Sequence, residues 1–263
     1  MKKKIKVIVA THKDYQMPKD ELYLPVQVGA KGKDSIGFTR DDTKKNISEK
    51  NPYFCELTGL YWAWKNLDAD YIGLVHYRRH LTLAKKVPKT TKEKFECVLT
   101  LKEVDSLLKR FDIILPTKIN YYIENLYNHY KHTMYIEPLD ETRKIIEEKY
   151  PKYLKEFDNL KKRKKAHMFN MFIMKKEKLD DYCEWLYDIL FELEKRVDTT
   201  NYTAFHNRFY GRVSELLLDV YLRTNEMKYT EVKFMDMENI NWRKKGTSFL
   251  KAKFFGKKYD KSF

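Results

Sequence analysis

The sequence predicts an α/β domain of three layers, α/β/α, with a central, mostly parallel sheet and a helical C-terminal part. Three observations carry this. Short, nearly all-apolar runs such as Tyr71–Val75 recur along the chain, and such runs read as strands covered on both faces. Helix-period segments alternate with them. Polar clusters follow several strands directly, at the carboxyl edge where open α/β sheets bind ligands.

In chain order, Lys4–Ala10 is a first strand with an apolar end, followed by Thr11, His12, Lys13 and Asp14. Residues 14–51 carry Pro18, Pro25, Gly29, Gly32 and Gly37 and are expected to form one long structured loop, a length that in a compact domain usually serves function. Asn51-Pro52 opens a helix with proline in its first turn. Phe54, Leu57, Leu60, Tyr61 and Trp64 continue it at helical spacing to Asn66. The strand Tyr71–Val75 follows, then a lysine-rich connection to about residue 99. Lys102–Arg110 reads as a helix and Phe111–Leu115 as a third strand, stopped by Pro116. Residues 119–135, rich in Tyr, Asn and His, take no firm assignment. Helices are expected over Pro138–Glu148, with acids early as the helix dipole favours, and over Pro151–Leu160. Lys161–Lys165 is a basic turn, solvated or membrane-facing. Phe169–Met174 is a fourth strand, Leu179–Val197 and Val213–Leu222 are amphipathic helices, and Tyr229–Met235 is a last strand.

With 263 residues, 43% of them hydrophobic and 15% aromatic, the chain can bury a substantial core and is not a disordered protein. A net charge of +15 favours a polyanionic partner: nucleic acid, an anionic membrane face or a phosphorylated substrate. Cys55, Cys97 and Cys183 have no metal or redox spacing, which points to a reducing compartment without disulfides. No apolar run nears the ~18 residues that span a bilayer. The apolar stretch near the N-terminus is too short for a secretory signal. A cytoplasmic location is expected, with a peripheral place on the inner face of the plasma membrane left open.

The organising stretch is Tyr71–His80. Its buried strand runs straight into His76, Tyr77, Arg78, Arg79 and His80, with no Gly, Pro or Asn between them. Guanidinium groups at a sheet's carboxyl edge suit phosphate, which they bind by forked, charge-assisted hydrogen bonds. An exposed basic turn is the competing reading of Arg78-Arg79 alone.

A strand ending in polar residues, a long loop, a helix and a second strand ending in a cationic cluster resemble the nucleotide-binding half of a GT-A glycosyltransferase. The resemblance sharpens over Ile47–Asn66 (ISEKNPYFCELTGLYWAWKN), Tyr71–His80, Asn170–Met174 (NMFIM), Tyr182–Leu186 (YCEWL) and Arg208–Leu217 (RFYGRVSELL). Together these blocks resemble the bacterial capsular and exopolysaccharide biosynthesis family, formerly a domain of unknown function, over roughly residues 4–225. Members of that family are glycosyltransferases, some similar to β-galactofuranosyltransferases. The resemblance implies a GT-A-like, inverting hexosyltransferase. Its donor would be a UDP-sugar, UDP-galactofuranose favoured, and its acceptor a growing, lipid-linked cell-surface glycan. GT-A chains usually hold a divalent cation with an Asp-x-Asp after such a strand. Here Asp68-Ala-Asp70 precedes the strand and reads as a turn, while His76-Tyr-Arg-Arg79 stands in the acidic motif's place. Side-chain cations are therefore expected instead of a metal, and no cofactor is called for. A cation held through His76 and an acid from elsewhere is the disfavoured alternative.

The donor-binding set implied is Thr11, His12, Asp41, Asp42, Asn51, His76, Arg78 and Arg79, both arginines also offsetting charge on the leaving UDP. Thr11 and His12 read equally as a capped turn, and Asp41 and Asp42 as ordinary loop acids. The acceptor set is His129, Asn170 and Arg212. Glu215 is the expected catalytic base, at a loop-to-helix junction with Ser214 as N-cap. A first-turn glutamate favoured by the helix dipole competes with that role. His129 and His132 share a helical spacing but lack a third ligand, so a solvated pair competes with a metal site. Tyr61, Trp62, Trp64 and Trp185 read mostly as core.

Residues 1–236 are expected as the glycosyltransferase domain and 237–263 as a basic, aromatic C-terminal tail. In the tail, Phe249, Leu250, Phe254 and Phe255 alternate with Lys251, Lys253, Lys257 and Lys258. That pattern suits lipid headgroups or a disordered basic end. The other function classes are a nucleic-acid-binding protein and a scaffold without catalysis. Against the former, no helix-turn-helix, zinc-finger or RRM signature is present and Lys and Arg are spread along the whole chain.

Overall fold

The structure is a computed structural model describing residues 3–238. The expectations for the tail beyond Glu238 lie outside the described residues. The chain runs β1 (Ile5–Thr11), β2 (Tyr23–Gln27), β3 (Thr39–Arg40), α1 (Asn51–Phe54), α2 (Leu57–Asn66), β4 (Tyr71–His76), β5 (Arg79–Thr82), α3 (Thr91–Glu96), α4 (Leu101–Leu107), β6 (Ile113–Pro116) and β7 (Ile119–Asn120). It continues α5 (Leu126–Thr133), α6 (Glu137–Lys149), α7 (Leu154–Asp158), β8 (Lys165–Ala166), β9 (Phe172–Lys175), α8 (Lys176–Arg196), α9 (Phe209–Thr224) and β10 (Thr230–Asp236). The described residues form two compact units: 3–117, 169–184 and 228–238 in the first, 118–168 and 185–227 in the second.

The first unit is built on a sheet in the order β3-β2-β1-β4-β5-β10-β6-β9, with β9 also pairing β4. β1 lies parallel to both β2 and β4, in the register Ile5↔Tyr71 through Ala10↔His76. The α/β class is as expected, but the sheet is mixed rather than mostly parallel. β4–β5, β4–β9, β6–β9 and β5–β10 are antiparallel. For β4–β5 the reason is local: Tyr77 and Arg78 turn the chain back on itself, and a connection of two residues can join only antiparallel strands.

The apolar strands bury both faces. Val28 and Ile8 pack against α2, where a Cβ on Gly59 would lie 2.7 Å from Val28 Cγ1. Val7, Val9, Val75, Leu81 and Ile173 share a core cluster with Tyr23, Val104, Leu108 and Met237. α3 and α4 start at capping boxes, Thr90 with Glu93 and Thr100 with Glu103, each satisfying two orphan amides.

Two of the differences from the sequence reading fall in the 14–66 stretch and have identifiable reasons. The expected 14–51 loop contains β2 and β3. Pro25 hid β2, and it is tolerated because β3 pairs with β2 only at Val26 and Gln27, leaving no ladder partner for the missing amide. The expected single helix over 51–66 is broken at Cys55, whose φ of 52° separates α1 from α2.

In the second unit, α6, α7, α9 and residues 185–196 of α8 bury Ile145, Ile146, Phe157, Leu186, Leu190, Leu217 and Val220. Tyr153 packs its ring 4.6 Å from Trp185. Asp219 is buried on α9 and accepts the His167 backbone amide at 2.9 Å and its Nδ1–H at 2.7 Å. Burial drives the Asp219 pKa up, but these donors outweigh it and hold the carboxyl below its ordinary value.

Gly73 sits where β4 meets β9. A Cβ there would lie 2.8 Å from the Phe172 carbonyl and 2.8 and 2.9 Å from the Ile173 and Val7 side chains. Backbone cannot swing away as a side-chain tip can. Gly73→Ala should therefore cost about 2–3 kcal/mol in urea unfolding, the scale of overpacking a core. A loss under about 0.5 kcal/mol would mean that β9 approaches β4 less closely than described.

Candidate active site

Because β1 and β4 are parallel neighbours, their carboxyl ends meet at one edge of the sheet. Thr11 is buried there and its hydroxyl donates to the Lys13 carbonyl at 2.6 Å, turning the chain. His12 lies edge-on to Tyr77 with ring centroids 5.4 Å apart, and Tyr15 does the same at 5.0 Å. Lys13 Nζ sits 5.2 Å from the Tyr77 ring centre, and the Arg78 guanidinium 5.5 Å. Two cations thus flank one buried tyrosine. Arg78 is half-buried, and its ion pair, with Glu238, is long at 4.0 Å.

A second polar row crosses β4, β5 and β10. His76 is the register partner of Arg79, and Arg79 of Asp236, so the three side chains share a face. His76 Nε2–H donates to the Phe169 carbonyl at 2.5 Å. Burial pushes the imidazole below its ordinary pKa, opposed by Glu56 and reinforced by Arg79. His76 is therefore a neutral, oriented ring. Arg79 Nε donates to Asp236 Oδ1 at 2.7 Å while its guanidinium lies 4.2 Å from the Phe169 ring centre. Both arginines were expected to turn to one ligand; in the structure Arg79 is held by Asp236, and Arg78 is the more exposed of the two. His80, counted from sequence among the cationic donors, lies fully buried between the Tyr23 and Phe95 rings. Burial holds its pKa at about 3, so it carries no charge.

Several expected ligand residues have hydrogen-bond partners within the fold. Asp41 is fully buried and accepts from the amides of Gly29 (2.9 Å) and Ala30 (3.0 Å) and from the hydroxyls of Ser48 and Thr58. A carboxylate with both oxygens so occupied is not placed to take ribose hydroxyls. Asp42 forms a fork with Arg40, at 3.1 and 2.7 Å, and the Arg40 hydrogen bond is the main cause of its lowered pKa. Asn51 spends its amide on the Cys55 carbonyl and Thr58 Oγ1, stabilising the break between α1 and α2. It also fills the space beside Gly29, where a Cβ would lie 2.4 Å from Asn51 Oδ1. Asn170, expected with the acceptor, is buried in the first unit and donates to Glu56 Oε1 at 2.7 Å.

In the second unit His129, Arg212 and Glu215 share an electrostatic neighbourhood. His129 and His132 on α5 each give Nδ1–H to Glu124, at 3.0 and 2.7 Å. Burial lowers the His129 pKa, Glu124 raises it, and Arg212 lowers it further. Burial also pushes the Glu124 carboxyl up, but the two imidazole donors leave it below its ordinary value. Arg212 Nη1 lies 3.2 Å from Glu215 Oε2. The expected junction at Glu215 is corrected. α9 begins at Phe209, so Glu215 sits buried in its second turn and Ser214 is an interior residue, not a cap.

Glu56, Lys13, Tyr77, Asp236 and Glu124 were not singled out from sequence. Glu56 left a mark, as an acid set between the apolar Cys55 and Leu57. The Asp-x-Asp does not fit a metal. Asp68 pairs with Lys4 Nζ at 2.7 Å and Asp70 accepts the Lys4 amide at 2.7 Å, both at the amino end of the sheet. No group of three His, Cys, Asp or Glu among the described residues is placed to hold a metal ion. No helix among them is long and apolar enough to cross a membrane.

Residues 6–226 match the model of the domain of unknown function DUF4422. The chain belongs to the DUF4422 family. A solved structure, the apo form of the WbbM bifunctional glycosyltransferase, is similar to this family member over 90% of the chain at 30% identity and a TM-score of 0.82. The likeness covers 46% of that protein's chain, so the family member spans about half its length. None of the curated proteins matches significantly.

The role of Asp41 can be tested without any ligand. Asp41→Asn replaces a charged acceptor by an amide that must misdirect one or more of the donors. The expected cost is about 2–4 kcal/mol in urea unfolding, the scale for hydrogen bonds to a buried charge. Asp42→Asn, at a half-buried ion pair, should cost under about 1 kcal/mol. Equal and small losses would return Asp41 to the candidate ligands.

Proposed function

We propose that this DUF4422 member is a GT-A-like glycosyltransferase that moves a hexose from a UDP-sugar to a glycan with inversion. Galactofuranose is the favoured sugar and a lipid-linked, cell-surface glycan the favoured acceptor. The observation that carries the proposal is the likeness to the WbbM glycosyltransferase across nearly the whole chain, together with Lys13 and Arg78 at the carboxyl edge of β1 and β4. In this reading the two cations take the diphosphate and offset the charge that develops on the leaving UDP. Thr11 and His12 face the nucleoside, and the His76–Arg79 pair, braced by Asp236 and Phe169, positions the strand end. No step passes through a metal.

The acceptor side is assigned to His129 and Arg212, and the base to Glu215. Inversion needs a group that takes the acceptor hydroxyl's proton as the new bond to the anomeric carbon forms. Glu215 is buried against Arg212, an environment that orients the carboxylate.

One experiment tests both halves. UDP, UDP-galactofuranose and UDP-galactopyranose are titrated in a thermal-shift assay, since a ligand that binds only the native state raises the melting temperature by mass action. Donor transfer is then compared between wild type and Glu215→Gln. UDP-galactofuranose is expected to stabilise both proteins equally, with turnover of the variant lower by ~10²-fold or more. Stabilisation by oligonucleotides and by none of the UDP compounds would overturn the enzyme reading. Near-normal turnover of Glu215→Gln would move the base elsewhere.

A further inference from the structure

Tyr122 is 76% exposed and Ile123 57% exposed, the two most exposed large apolar side chains among the described residues. They stand at the tip of a loop that is held rather than loose. β7 pairs with β8 through Ile119↔Ala166 and Asn120↔Lys165. The Tyr121 amide donates to the Lys164 carbonyl at 2.9 Å and the Leu126 amide to the Arg163 carbonyl at 2.8 Å. Lys164 Nζ donates to the Tyr122 carbonyl at 3.0 Å, and the Tyr122 amide to Asn120 Oδ1 at 3.0 Å. At the tip the Ile123 amide closes a three-residue turn onto the Tyr121 carbonyl, with φ of +47° at Tyr122. That conformation is unfavourable for a bulky side chain, and such strain concentrates where a residue is held out for a purpose.

The chemistry around the tip is one-sided. In segments 118–131 and 159–166 the exposed charged residues are Lys131, Lys161, Lys162, Lys164 and Lys165. The acid of these segments, Glu124, is buried under two imidazoles, and Arg163 is paired to Glu156. In these two segments the tyrosine–isoleucine knob is accompanied by exposed lysines and by no exposed acid, Lys164 and Lys165 lying directly beside the loop, and its apolar tip gains nothing from staying in water.

We propose that this knob docks on an anionic lipid surface, Tyr122 and Ile123 entering the headgroup–acyl boundary while Lys161, Lys162, Lys164 and Lys165 meet lipid phosphates. Tyrosine favours that boundary because one end of its ring is apolar and the other wet. Each lysine near an anionic surface strengthens binding about fivefold at moderate salt. The proposal is independent of which sugar the chain transfers, and binding is read without any turnover.

The test is co-sedimentation of the full chain with phosphatidylcholine vesicles, with and without phosphatidylglycerol. The variants are Tyr122→Ser/Ile123→Ser, Tyr122→Trp, and the fourfold Lys→Gln change at 161, 162, 164 and 165. Tyr53→Ser is the control, an exposed aromatic residue elsewhere. The basic tail is present in every variant, so a difference between variants belongs to the knob. Wild type, Tyr122→Trp and Tyr53→Ser should bind phosphatidylglycerol vesicles alike. The serine pair and the glutamine set should each bind about tenfold more weakly or worse, with unchanged melting temperatures. Wild-type affinity in the serine pair, equal binding to pure phosphatidylcholine, or no vesicle binding at all would each overturn the proposal.

Discussion

The parallel pairing of β1 with β4 is the constraint on which the first unit depends. It requires Gly73, because β9 comes in on the other side of β4 so closely that no side chain fits. It carries Ala10 and His76 to the same level of the sheet, so that whatever follows either strand meets at one edge. β9 occupies β4 from Tyr71 to Leu74, and β5 takes over at His76. The strand that ends in the cationic stretch therefore changes partner where the candidate chemistry begins.

Within each unit the polar groups divide by how their hydrogen bonds are spent. Asp41, Glu124 and Asp219 are buried acids with donors on both oxygens. An unpaired buried carboxylate costs several kcal/mol, so such groups hold structure together before they do anything else. Arg79 and Asp236 are likewise committed to each other, through a 2.7 Å hydrogen bond. Lys13 and Arg78 are not: they lie against Tyr77, and the ion pair of Arg78 is long and half-solvated. A ligand phosphate could compete for Arg78 without first breaking a buried network.

What the sequence revealed follows the same division. The apolar strands and amphipathic helices were legible because periodicity reports burial. The hairpin between His76 and Arg79 was not, since Tyr77 and Arg78 carry no turn signature and are held by Tyr15, Tyr77 packing and the β5–β10 ladder. Gly211 read as the end of a loop, yet it is buried inside α9, which moved Glu215 from a helix start to its interior. Asp41 looked like a loop acid or a ribose ligand because its donors, at Gly29, Ala30, Ser48 and Thr58, come from separate stretches that only the folded loop gathers. The run of cationic side chains after β4 was legible in the sequence, whereas the pairing of Arg79 with Asp236, more than 150 residues away in the chain, was not.

The central claim is that side-chain cations, Arg78 foremost, bind a nucleoside diphosphate at this edge without a metal. Calorimetric titration of UDP into the full chain, in excess EDTA and again with magnesium or manganese, tests it most directly when wild type is set beside Arg78→Lys. Lysine keeps the charge and loses the fork. The account predicts equal wild-type affinity with and without metal, and affinity about tenfold weaker or worse for Arg78→Lys in both conditions. UDP binding that vanishes in EDTA while Arg78→Lys binds like wild type would contradict it.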